Sequence, residues 1–109
     1  MTARWSVARG EMGAISAALN QLLSETRAQP GCLSCVFSTE LGPRAAFTCI
    51  EDWETENDLI TELRSGRFTQ LAQLLESSLE APRLEFALPG GTRGIEYAEE
   101  ARRSLGEPQ

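Results

Sequence analysis

Over residues 3–9 the chain alternates, with Trp5 and Val7 on one side and Arg4 and Ser6 on the other, the two-residue period of a half-buried strand. Gly10 and Glu11 then open a helix in which Met12, Ile15, Leu19, Leu22, Leu23 and Thr26 recur along one face, and Pro30-Gly31 stops it. Residues 32–39 and 45–53 are rich in apolar, β-branched and aromatic side chains. The turn residues Leu41-Gly42-Pro43-Arg44 separate them, so the pair predicts an antiparallel hairpin. Thr55-Glu56-Asn57-Asp58 has a capping pattern and predicts a short helix carrying Leu59, Ile60 and Leu63. Ser65-Gly66 interrupts it. Phe68, Leu71, Ala72, Leu75 and Leu79 make a second helical stripe, which Ala81-Pro82 ends. Residues 83–88 alternate again, with Leu84, Phe86 and Leu88 inward. Residues 89–94 read as a flexible joint, and 95–105 as a helix with Ile95, Ala98, Arg102 and Leu105 on one stripe.

The resulting order, β-α-β-β-α-α-β plus a C-terminal helix, is the split βαβ, ferredoxin-like α+β arrangement. Residues 1–88 are expected to form that domain and residues 89–109 a helical extension. The helices cover one face of the four-stranded sheet. A second copy packed sheet to sheet is the simplest cover for the other, so a homodimer is expected.

Composition narrows the function classes. The 109 residues suffice for one domain, and the net charge is −6. The ten basic residues are scattered arginines, which argues against nucleic acid as a partner. No apolar run approaches a membrane span, and the N-terminal stretch has no apolar secretory segment. There is no histidine, so Ser-His-Asp and Cys-His catalysis within the chain is excluded. The three cysteines are expected as reduced thiols of a cytoplasmic protein.

Few residues carry candidate chemistry. Glu62 and Arg67 flank the Ser65-Gly66 break and could face a pocket mouth. A carboxylate in apolar surroundings can act as a base, and Arg can hold a phenolate or carboxylate; the alternative is two solvated helix charges. Trp53 could stack on an aromatic substrate or pack against Phe47 and Phe37. Cys32 and Cys35 have CxxC spacing, but on a strand positions three apart point to opposite faces, and only Cys49 on the neighbouring strand could join them. Small apolar behaviour, without bound metal, is the expectation for all three. The acidic run Glu51, Asp52, Glu54, Glu56, Asp58 reads as charge at a helix N-terminus. Gly90 to Gly94 lacks the spacing of a phosphate-binding loop.

Pro30-Gly31-Cys32-Leu33, then Phe47 with Glu51-Asp52-Trp53, then Leu59 with Ser65-Gly66-Arg67-Phe68, resemble the antibiotic biosynthesis monooxygenase domain of the dimeric α+β barrel superfamily. The resemblance covers roughly residues 4–88. It implies oxygenation of a small quinol or phenol-like substrate with no metal, flavin or other cofactor, the substrate anion reacting with oxygen directly. Trp53, Phe37, Phe47, Phe68 and Leu63 would then shape the substrate pocket, and Glu62 and Arg67 would be its catalytic polar groups. Trp53 and Glu51 match the family's strand-end Trp and the Glu two residues before it. Many members carry His where this chain has Glu62 and Arg67, and the haem-degrading branch needs a His in a helix that here reads Thr69-Gln70-Leu71-Ala72-Gln73. Haem degradation is therefore set aside. The alternative is a non-catalytic dimeric module that binds a small apolar metabolite.

Overall fold

In a computed structural model, which describes residues 1–106 with side chains through Arg103, strands and helices follow the expected order with one addition. Strand β1 (Thr2–Val7) leads through a single 3-10 turn into α1 (Met12–Arg27). The hairpin of β2 (Cys32–Leu41) and β3 (Ala45–Trp53) follows, then α2 (Glu56–Leu63), α3 (Gly66–Glu76) and β4 (Arg83–Leu88). The addition is β5 (Gly91–Arg93), before α4 (Ile95–Gly106). All neighbours in the sheet, ordered β2-β3-β1-β4-β5, are antiparallel. The stretch read as a flexible joint thus pairs with β4, Phe86 opposite Arg93 and Leu88 opposite Gly91. Gly91, at φ 128°, supplies the backbone conformation that the tight return needs.

Alternation decides which side chains meet the helices. Ala3, Trp5 and Val7 of β1, Ala45, Phe47 and Cys49 of β3, and Leu84 and Phe86 of β4 are buried against Leu19, Leu22 and Leu23 of α1 and Leu71 and Leu75 of α3. Trp5 stacks on Phe47, ring centroids 5.5 Å apart. Among the described residues no helix lies over the opposite face of the sheet, which leaves Val36 50% and Ile50 39% exposed.

Three local readings differ from the structure. Helix α3 stops at Glu76 rather than running to Ala81. Ser77 Oγ donates to Leu74 O at 2.6 Å, and the chain turns back so that Leu79 N donates to Ser6 O at 2.8 Å, which leaves Leu79 exposed. In α4 the buried stripe is Tyr97, Ala98 and Ala101, with Ile95 exposed; the side chain of Leu105 lies outside the described residues. Near the start of β2 the register shifts between Cys32 and Ser34, so Cys32 lies opposite Trp53 and Cys35 opposite Glu51. The extra residue puts both cysteines on the helix-facing side, where simple alternation had separated them.

Helix α4 packs on the chain's own core. Phe86 and Tyr97 meet at 5.0 Å between centroids, and Tyr97 Oη donates to Glu56 Oε1 at 2.7 Å. Arg102 reaches the α2–α3 junction and donates to Leu63 O at 2.7 Å and Thr69 Oγ1 at 2.8 Å. A guanidinium therefore sits at the carbonyl end of α2, where the helix dipole favours a cation.

Candidate functional site

Strand β3 carries Phe47, Cys49 and Glu51 inward in succession. The third of these is a carboxylate at 4% exposure. Helix α2 presents Leu59, Glu62 and Leu63 on one face, and Glu62 is 3% exposed. Two acids are therefore buried beneath the same short helix. The start of that helix is fixed by Thr55, whose Oγ1 accepts from Asp58 N at 3.1 Å. Its approach to the sheet is fixed by Gly31, at φ 84°, whose carbonyl accepts from Glu54 N at 2.8 Å. A Cβ at position 31 would fall on the Asp58 carboxylate.

The two acids have different partners. Glu62 Oε1 is held by Arg67 through Nε and Nη2, both at 2.9 Å. Burial still pushes the Glu62 carboxyl above the ordinary range, with the Arg67 hydrogen bond and charge opposing it. Glu51 Oε1 accepts from Trp53 Nε1 at 3.1 Å. Burial, followed by the charge of Glu62, pushes its carboxyl up to about 7; the Trp53 hydrogen bond and Arg67 oppose the rise. One carboxylate is thus paired with an arginine, while the other is poised near neutrality.

Glu51 also borders open space. A cleft of about 260 Å³ is lined by Met1, Glu51, Trp53, Thr55, Leu59 and Leu88, among others. It offers a carboxyl poised near neutral pH, one indole and apolar side chains such as Leu59 and Leu88, with Asp52, Glu54 and Glu56 also on its lining, an arrangement able to accept a proton from a small flat molecule. Behind Glu51 stand two thiols. The ligand atoms of Cys35, Cys49 and Glu51 lie within 4.8 Å of one another, and all three residues are buried. A hydrogen bond with Cys49, then burial, keeps the Cys35 thiol protonated well above its usual range.

The residues singled out from sequence are dispersed by the structure. Glu62 and Arg67 are brought together as a pair. Trp53 is half-buried at the cleft, bonded to Glu51. Phe47 and Leu63 are fully buried core residues, with Phe37 half-buried beside Phe47 at 6.3 Å. Phe68 lies at a separate apolar groove with Leu75, Leu79 and Ile95, beneath the Arg102 guanidinium at 5.8 Å. In the sequence Glu51 stands out only as a motif match and as part of an acidic run. Its inward parity with Phe47 and Cys49 was the signal that separates it from Asp52 and Glu54.

The sequence model of the family described as antibiotic biosynthesis monooxygenase matches residues 1–79. None of the curated proteins compared matches the chain. Among solved structures, that of an antibiotic biosynthesis monooxygenase superposes with a TM-score of 0.61 at 17% identity, covering 74% of this chain and 86% of its own. Protein PA3566 from Pseudomonas aeruginosa superposes with a TM-score of 0.59 at 21% identity, covering 74% and 82%. At these identities the superpositions bear on the fold.

Proposed function

Because the chain belongs to the antibiotic biosynthesis monooxygenase family, we propose that it oxygenates a small phenol- or quinol-like substrate without a cofactor, Glu51 serving as the base. The observation that carries this reading is a buried carboxyl poised near neutrality on the wall of a cleft beside an indole. A substrate hydroxyl donates its proton to Glu51, and the resulting anion is the electron-rich species that dioxygen attacks. One oxygen atom replaces two hydrogens of the substrate as a carbonyl, and the other leaves as water. Trp53 orients the carboxylate through its N–H and supplies a flat face for the ring. Glu62, held by Arg67, keeps a second negative charge nearby and so raises the basicity of Glu51. Phe37, Phe47 and Leu63 belong in this reading to the core that supports the strand and helix of the cleft, and Phe68, at its separate groove, takes no part in it. A cleft of about 260 Å³ lies just under the usual size of ligand pockets and suits a substrate of one or two rings.

The uncovered sheet face, with Val36 and Ile50 exposed, supports homodimerisation through the sheets. A monomer mass by light scattering at micromolar concentration would overturn that part. The free thiols of Cys32, Cys35 and Cys49 suit a reducing cytoplasm, and no helix of the described residues is long and apolar enough to cross a membrane. One feature favours a second reading, a non-catalytic module that binds a small apolar metabolite: the chain has no histidine. Oxygen uptake against a panel of quinols and anthrones, with wild type, Glu51→Gln and Glu62→Gln in parallel, separates the two. Uptake that collapses in Glu51→Gln supports the base; uptake that survives it discards the base; no uptake on any member favours the binding module.

A further inference from the structure

We propose that Cys35, Cys49 and Glu51 form a binding site for one thiophilic divalent cation of the zinc type, in which the ion takes the carboxylate of Glu51 away from the cleft. The register of the hairpin makes the site. Cys35 lies opposite Glu51, and Cys49 lies opposite Phe37, one inward position along. Three inward side chains from two adjacent strands thus converge beneath α2. Their ligand atoms already lie within 4.8 Å of one another. A tetrahedral ion with sulfur at about 2.3 Å and oxygen at about 2.0 Å places its ligand atoms roughly 3.5–3.8 Å apart. Closing the triad onto an ion therefore requires side-chain movement of about an ångström, with no change of strand pairing.

Charge and neighbours favour an ion of this class. Glu51 is buried and Arg67 is committed to Glu62; among the described residues the Glu51 carboxylate accepts from the Trp53 indole, and the cation beside it is the N-terminal ammonium, which donates to Glu51 O at 2.8 Å. Two thiols and a carboxylate form a soft, mixed donor set, which selects zinc-like ions over magnesium or calcium. Binding releases the two thiol protons to solvent, together with the proton of Glu51 in the fraction of molecules where that carboxyl is protonated. The two thiolates and one carboxylate then carry three negative charges against two positive ones. Arg27 stands nearby, its Nε donating to Cys35 O at 2.6 Å, and helps offset the remaining charge. The fourth coordination position falls to water, by way of the cleft that Glu51 borders. Cys32 is not in the triad; its thiol donates to Ser34 O at 3.6 Å. The ion and the proposed base share Glu51, so an occupied site and proton abstraction exclude one another. Binding itself is nevertheless tested without reference to turnover.

The experiment titrates the reduced, chelator-treated full chain with cobalt(II), followed by displacement with zinc(II). The expected result is one cobalt per chain, visible-region bands of a tetrahedral ion and a sulfur-to-cobalt charge-transfer band whose intensity counts two thiolates. Zinc should abolish all of these signals. Cys35→Ser and Cys49→Ser should each lose at least half of the charge-transfer intensity, Glu51→Gln should weaken binding tenfold or more, and Cys32→Ser should leave both unchanged. The wild-type band intensity and stoichiometry stand as a readout even where a variant folds poorly. Absence of a charge-transfer band in the wild type overturns the site, as does a band that needs Cys32 rather than Cys35 and Cys49.

Discussion

Replacing Glu51 with Gln should make the protein more stable at alkaline pH while removing the proposed base. The substitution keeps the shape of the side chain and an oxygen that can accept from Trp53 Nε1, so packing is preserved. It removes a charge that burial opposes. The Glu51 carboxyl rises from an ordinary 4.5 to about 7 in the folded chain. A difference of about 2.5 in pKa corresponds to about 3 kcal/mol. The sign follows from which form folding favours. A carboxyl whose folded pKa is raised contributes stability that is complete below its unfolded pKa and is lost as pH climbs through its folded pKa. Wild type should therefore lose about 3 kcal/mol from this group between pH 4.5 and 8, and the Gln variant should not. Urea denaturation at fixed protein concentration, on chelator-treated samples at both pH values, reads the effect of Glu51 together with the groups its charge acts on, because titrations elsewhere in the chain are common to the two proteins. The variant should be near wild type at the lower pH and unfold at roughly 2 M more urea at the higher pH. A Glu51→Gln protein less stable than wild type at pH 8, or a difference that does not change with pH, would refute a buried carboxyl held near neutrality.

Other perturbations follow from the same geometry. Arg67→Leu leaves Glu62 buried without its cation and should cost about 3 kcal/mol, or a melting temperature lower by roughly 12 °C, with a smaller loss as the pH is lowered, because burial already holds the Glu62 carboxyl above the ordinary range. Gly31→Ala places a Cβ on the Asp58 carboxylate at a φ of 84° and should cost about 1–3 kcal/mol in thermal denaturation; no loss would mean that this turn is not constrained. Arg102→Ala removes the donor to Leu63 O and Thr69 Oγ1 and should cost about 1–3 kcal/mol. In hydrogen exchange the loosening should be confined to the α2–α3 junction.

Much of the fold was legible because period carries it. The strict alternation of Trp5 and Val7, and of Leu84 and Phe86, marks strands whose inner faces are buried. The capping pattern at Thr55 marks the start of α2 at the residue where the structure caps it. What period could not carry were features set by tertiary pairing. Residues 91–93 have no apolar alternation of their own and become a strand only because the edge of β4 is free to pair. Leu79 keeps helical spacing, yet the pull of Ser6 on the backbone takes it out of the helix. The tail was read through Ile95, but packing against Phe86 selects the adjacent stripe of Tyr97, Ala98 and Ala101.

The site divides in the same way. Glu62 and Arg67 were visible because they flank a helix break, and the ion pair between them is a contact that sequence spacing permits. Glu51 was hidden in an acidic run, where composition suggests a solvated helix start. Only its strand parity distinguishes it. The meeting of Cys35 with Cys49 and Glu51 depends on the pairing register of the hairpin and on a diagonal across it, neither of which the spacing of the cysteines reveals.

Everything proposed for the cleft requires that Glu51 titrate near neutrality. Carbon-13 NMR of glutamate side-chain carboxyls, wild type against Glu51→Gln, measures that titration directly. One resonance, missing from the variant, should titrate with a midpoint of about 7 in the folded protein. A Glu51 resonance that titrates at the ordinary carboxylate value of 4.5 would contradict the account and leave the cleft without a base.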